Sequence, residues 1–169
     1  MRVGLADCYK RGLWTPIRLG LRSDRPVAGR VEIVVPDGDG VPVRYATACK
    51  LAPGRETTAT VYAQFGRPAA AVEASFVAGA ERLARRVFPS GAARDGSAVP
   101  TALGLDEHLF LMLGSADMGL EEAVRRATSS GWKARLVRLA DLGALPDRWY
   151  GYEGVDLVAI STTRPELFA

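Results

Sequence analysis

Apolar and polar residues alternate along the first ninety positions in short runs broken by Gly and Pro, which is the pattern of half-buried strands. Residues 2–6 read as a short strand. In residues 14–21, Ile17, Leu19 and Leu21 face one way, and Arg18, with Arg22 beyond, faces the other. Residues 30–35 repeat this with Val31, Ile33 and Val35 on one face, and they end in Pro36-Asp-Gly-Asp-Gly40, a strong turn signal. Val43–Cys49 is the next run, followed by a turn at Leu51-Ala-Pro-Gly54. Thr57–Phe65 is β-branched and aromatic, as strands prefer. Ala70–Val77 and Arg82–Phe88 form a hairpin across residues 78–80. The second arm, ERLARRVF, also admits a helical turn; strand is the preferred reading. Short strands with turn residues between them predict an all-β, Ig-like sandwich over residues 1–88.

The pattern changes after residue 88. Residues 89–106 are rich in Gly, Pro, Ser and Ala and read as a linker or crossing segment. Residues 107–169 carry a different period. Glu107–Gly114 is a near-continuous apolar run, which suits a strand buried on both faces of a parallel sheet. A helix follows from Leu120 to Thr128, capped by Asp117 and stopped by Gly131, with Leu120, Ala123, Val124 and Ala127 on one face. Ala134–Leu139 is a second strand. Residues 142–152 read as a short helix opened by Pro146, and Val155–Ser161 as a third strand. The β-α-β-α-β order predicts a partial α/β unit with a parallel sheet. So little helix does not cover both faces of such a sheet, so a truncated chain or an obligate partner is expected.

Composition narrows the chemistry. The chain has 169 residues and a net charge of +3, and the basic groups are nineteen Arg and three Lys. Residues 1–100 carry 15 basic and 9 acidic groups, whereas residues 101–169 carry 7 and 10. A basic face meeting an anionic partner is one reading of the first half; scattered Arg on strand faces is the favoured one. No basic run exceeds two residues and no aromatics are interleaved, so no nucleic-acid partner is expected. The two cysteines, Cys8 and Cys49, either form one disulfide in an exported protein or are two small buried hydrophobes. With a single His there is no zinc set, and no cofactor is implied. No stretch of apolar residues is long enough to span a membrane, and the N-terminus has no apolar signal core. Taken literally, the chain is cytoplasmic.

Several residues are candidates for chemistry. His108, the one histidine, needs a nucleophile or an orienting carboxylate; Asp106 and Glu107 are near in sequence, but the group starts a strand. Ligand sites in open α/β sheets lie beyond the carboxyl ends of the strands. There the loop Gly114-Ser-Ala-Asp-Met-Gly119 offers Ser115 and Asp117, and the end of the third strand offers Ser161 and Thr162. These four are the candidate ligand-binding residues. The loop fits neither a P-loop nor GxGxxG, and no Ser lies in GxSxG. Asp37 and Asp39 suit a turn better than a calcium loop, since no Glu follows at EF-hand spacing. Trp132, Trp149, Tyr150 and Tyr152 suit packing better than a sugar platform. No catalytic or metal residue is assigned.

Two stretches together carry a family resemblance. Gly-Leu-Trp-Thr-Pro-Ile-Arg-Leu (12–19), Val-Pro-Asp-Gly-Asp-Gly (35–40), a Tyr45 strand and Leu-Ala-Pro-Gly (51–54) resemble the N-terminal β-sandwich of large exported bacterial proteins of the planctomycete type. The span Leu109–Ser161, especially Leu-Pro-Asp-Arg-Trp-Tyr-Gly-Tyr-Glu-Gly-Val-Asp-Leu-Val (145–158), resembles the first part of the class I glutamine-amidotransferase-like domain that follows it. The resemblance implies a flavodoxin-like scaffold, thought non-catalytic, and a cell-envelope location with a signal peptide and an anchor, neither of which this sequence displays. The Cys, His and Glu of active amidotransferases would fall beyond residue 169, so none is carried over.

The resulting expectation is a non-catalytic structural or interaction module of a cell-envelope protein, a fragment whose partner is protein: the rest of its own chain or an envelope protein. The alternative is the inactive N-terminal part of an amidotransferase-like or hydrolase enzyme. A polyanion binder using the basic half is a third reading. Residues 1–100 are the more complete pair of layers, so limited proteolysis should leave them intact after residues 105–169 are digested; survival of the second part alone would contradict this.

Overall fold

The computed structural model describes residues 1–91, 95–114 and 118–161. Their strands are Arg2–Val3 (β1), Trp14–Arg22 (β2), Val27–Pro36 (β3), Pro42–Leu51 (β4), Glu56–Gln64 (β5), Val72–Ala78 (β6), Glu81–Phe88 (β7), His108–Gly114 (β8), Ala134–Leu139 (β9) and Leu157–Ser161 (β10), with one α-helix, Leu120–Ser129 (α1). They form three sheets, ordered β1-β2-β5, β4-β3-β6-β7 and β10-β8-β9.

The first two sheets are antiparallel throughout and share one apolar core. The alternation read from the sequence is what builds it. Ile17 and Leu19 of β2 and Val61 and Ala63 of β5 meet Val31, Ile33 and Val35 of β3 and Val72 and Ala74 of β6, with Phe65 filling the end. The polar positions of the same strands point outward because side chains alternate across a sheet. ERLARRVF is a strand, paired with β6 through Val72↔Phe88 and Ala78↔Glu81. The first strand is shorter than residues 2–6. Ala6 and Asp7 adopt positive φ (47° and 65°), and Leu5 bridges Cys8, so the chain turns back after Val3.

The third sheet is parallel, with β8 between β9 and β10. Leu109, Leu111, Leu113, Val137 and Leu139 form a second core, which takes in Leu5 and Leu103 from outside the sheet. The segment between the two parts is pinned down: Ser90 bridges Val99, Val99 is buried in the first core, and Leu103 pairs with Lys10.

The remaining elements depart from expectation in three places. The N-cap of α1 is Gly119, at φ 74°; Asp117, expected there, lies outside the described residues. The helix buries none of its residues fully, and Ala123 is exposed, because its stripe rests mainly on the edge strand β9. Its end is as read: Gly131 takes φ 96° and the amides of Gly131 and Trp132 cap Thr128 and Ala127 in a Schellman motif. Residues 142–152 form two 3₁₀ turns, Leu142–Ala144 and Trp149–Tyr152, and no α-helix. Arg148 is extended (φ −125°, ψ 135°), which breaks the segment after Pro146 and presses that proline into the structure.

Phe65 is wholly buried where the two antiparallel sheets close, with its ring 4.6 Å from that of Tyr9. Phe65→Ala should therefore cost about 3–5 kcal/mol in denaturant unfolding, as large-to-small changes in packed cores do.

Candidate functional site

Charged and aromatic side chains converge where the two-layer β unit meets the parallel sheet. Lys10 leaves the N-terminal segment and is buried, its side chain 7% exposed, with Nζ 2.6 Å from Asp156 Oδ2. Asp156 stands immediately before β10, and the same oxygen accepts the Leu109 amide of β8 at 2.7 Å. Its other oxygen lies 3.6 Å from His108 Nδ1. Burial acts to raise the Asp156 carboxyl, but the Lys10 bond, the Leu109 amide and the nearby cationic groups outweigh it and hold the group below the ordinary value. His108 is also stacked on Trp132, with ring centroids 5.2 Å apart. Its carboxylate neighbour is thus Asp156, forty-eight positions on. Asp106 instead pairs with Lys133 at 2.6 Å, and Glu107 accepts the Gly104 amide.

A second set of contacts lies on the outer side of β2 and β5. Tyr62 donates its hydroxyl to Asp147 Oδ1 at 2.6 Å. Burial, then this bond, pushes the Tyr62 phenol up from its ordinary value. Tyr150 packs between Trp14 and Tyr62, at 5.5 Å and 4.9 Å between ring centroids. Trp14 also meets Tyr45 edge-on at 5.7 Å. Glu153 accepts the Trp14 amide, and Arg18 donates to the Ala144 carbonyl. Gly151 makes this approach possible, because a Cβ there would stand 2.7 Å from the Tyr62 ring and 2.6 Å from Pro146. Tyr45, Tyr62, Tyr150 and Trp14, with Arg44, Arg148, Asp147 and two Thr, line a cleft of about 440 Å³.

The residues read from the sequence fall as follows. Ser161 ends β10 opposite Gly114, the last residue of β8, at the carboxyl ends of the parallel strands. Gly114 has φ 102°, and a Cβ on it would lie 1.6 Å from the Ser161 carbonyl oxygen, so only glycine lets these strand ends meet. Ser115, Asp117 and Thr162 lie outside the described residues. Cys8 and Cys49 are free thiols, one packed against the second core and the other inside the first. Burial raises both above the ordinary thiol value, so neither is activated as a thiolate. Asp37 spends its carboxylate on the amides of Asp39 and Val41, a turn in itself. Trp132 and Trp149 are exposed, not core; Tyr150 and Tyr152 are half-buried. Sequence reasoning missed Lys10–Asp156 and Tyr62–Asp147, which join positions 146 and 85 apart. The one local signal was that Lys10 is among only two lysines in an Arg-rich half.

A family model described as a domain of unknown function, DUF8726, matches residues 1–90. No curated protein matches the chain.

Removing Lys10 leaves a carboxylate that water can partly reach, so Lys10→Ala should cost about 1–3 kcal/mol, between the roughly 1 kcal/mol of an exposed pair and the roughly 3 kcal/mol of a broken buried one. Because the folded Asp156 value is lowered, its contribution is present above the unfolded carboxylate value, about 3.9, and is lost as pH falls through the folded one. The stability gap between the wild type and Asp156→Asn should therefore close on acidification below about pH 4, as denaturant titrations at several pH values would show.

Proposed function

The chain belongs to the DUF8726 family, and we propose that it is a non-catalytic structural and interaction module. The observation that carries this is the state of β10. Among the described residues it is bonded on one side only, to β8, and Leu157, Val158 and Ile160 are all exposed, on both faces of the strand. A parallel sheet ordinarily has both faces covered, and an apolar edge strand is a template for another strand. We read β10 as the edge to which further protein attaches, either the rest of the same chain or an envelope partner. The junction described above supports a presenting role, since it fixes the parallel sheet against the two-layer unit through Lys10–Asp156 and Tyr62–Asp147.

The finer assignments are part of the same proposal. Residues 1–88 are an Ig-like sandwich, residues 89–106 a crossing segment and residues 107–169 the opening of a flavodoxin-like, amidotransferase-like domain. The spatial order β9-β8-β10 is in favour of this, because it is the 2-1-3 order with which flavodoxin-like sheets begin. In that order the chain reverses direction at β8, which puts the crevice at the carboxyl ends of β8 and β10, beside Gly114 and Ser161. Ser115, Asp117, Ser161 and Thr162 are the proposed ligand contacts there. A cell-envelope location rests on the family resemblance of the sequence.

Two measurements on the purified chain test this reading. It should release no ammonia from glutamine above the uncatalysed rate; release that is lost in His108→Ala would replace the module with an enzyme. An apolar dye such as ANS should bind, and its fluorescence should fall several-fold in the Val158→Lys, Ile160→Lys double variant with little change in melting. A signal untouched by those substitutions would remove β10 as the open edge.

A further inference from the structure

We propose that the cleft between β4, β5 and residues 147–150 binds an acidic saccharide, a chain of uronate-type pyranose rings that continues onto the outer face of the four-stranded sheet. The cleft volume of about 440 Å³ lies in the range of small-ligand sites, about 300–1,000 Å³. Its lining combines two kinds of group that a sugar ring needs together. Trp14, Tyr45, Tyr62 and Tyr150 meet one another edge-on or tilted, with no ring laid flat on another, and offer apolar surface to the C–H face of a pyranose. Thr47, Thr60, Asp147 and the two arginines stand among them as hydrogen-bonding groups for hydroxyls.

The charge of the ligand follows from what adjoins the cleft. Arg44 lines it and also lies on the outer face of the sheet β4-β3-β6-β7, where its Nη1 is 3.2 Å from Glu32 Oε2. Glu32 is buried, its side chain 5% exposed, and is gripped from the other side by Arg30 at 2.6 Å. This buried carboxylate holds the Arg44 guanidinium at the mouth of the cleft while the guanidinium itself stays accessible. By the strand register, the same face carries Arg30, Arg44, Lys50, Arg82 and Arg85 against Glu32 and Glu73 alone. Five basic against two acidic groups thus lie on one surface that begins at the cleft, about half of the basic surplus of the first hundred residues. A polyuronate matches this spacing of charge: one carboxylate per ring for a guanidinium to clasp, and diols between for Asp147 and the threonines. A nucleic acid matches it less well, because the aromatic rings line a cleft and form no open stacking platform.

The proposal is independent of whether β10 recruits a partner. Its test is calorimetric titration of the whole chain with tetragalacturonate, cellotetraose and a short single-stranded DNA. Tetragalacturonate should bind and should weaken as salt is raised. Arg148→Ala, at a position outside the Glu32 network whose one ion pair is exposed, should lower its affinity about tenfold with melting little changed, and Arg44→Ala should also lower it about tenfold, whereas Arg55→Ala should have no effect. Absence of uronate binding, or binding indifferent to both cleft substitutions, overturns the site. Cellotetraose binding as tightly overturns the acidic class, and tighter binding of the DNA overturns the saccharide in favour of a nucleic acid.

Discussion

The arrangement of this protein depends on one ion pair, between a buried lysine and a partly exposed aspartate. Lys10 belongs to the N-terminal segment and Asp156 to the start of the last strand, and neither has another full-charge partner as close. Taking an ammonium out of water is costly unless a carboxylate and further hydrogen bonds receive it. Here Asp156 receives both the ammonium and the Leu109 amide, so the pair locates β8 and β10 relative to the first unit. Among the described residues, no buried side-chain polar atom lacks a partner, which shows how completely the junction is resolved.

Around that pair the junction is finished by shape. Gly151 lets the second 3₁₀ turn come down on Tyr62, and Tyr150 then wedges between Tyr62 and Trp14. The contact that joins the two units also creates the cleft, since the same four rings form its wall. A structural weld and a candidate binding surface are therefore two sides of one set of side chains. The parallel sheet is held more lightly on its other side: its helix rests on β9, to which the Glu121–Arg138 pair ties it, and among the described residues β10 pairs with β8 alone.

Much of the fold was legible because it is local. Period-two runs such as Val31-Glu-Ile-Val-Val and Thr57–Phe65 carry their own facing, and turn residues such as those of PDGDG mark where they end. The apolar run ending at Gly114 declared a doubly buried strand in the same way. Failures came where long-range packing overrode local preference. Residues 142–152 have a helix-opening proline, but the fit of Pro146 against Gly151 overrode it and left two short turns. Two tryptophans that composition would bury are exposed. The candidate site was least legible of all. Its pairs join distant positions, and nothing in the neighbourhood of Lys10 or Tyr62 announces Asp156 or Asp147. That Arg30, Arg44, Arg82 and Arg85 share one face emerged only once strand register was known.

The polar links of the junction have a mechanical side. Lys10–Asp156, Tyr62–Asp147 and the Glu153 contact to the Trp14 amide are few, short and set side by side between the same two bodies. A load applied along β10 by anything attached to it would pass into the two-layer unit through these bonds together. Such an array resists shear until one member fails, and then the others are overloaded in turn. The molecule would thus behave as a stiff coupling with a sharp yield point, and less as a flexible tether between its attachment and its broad basic face.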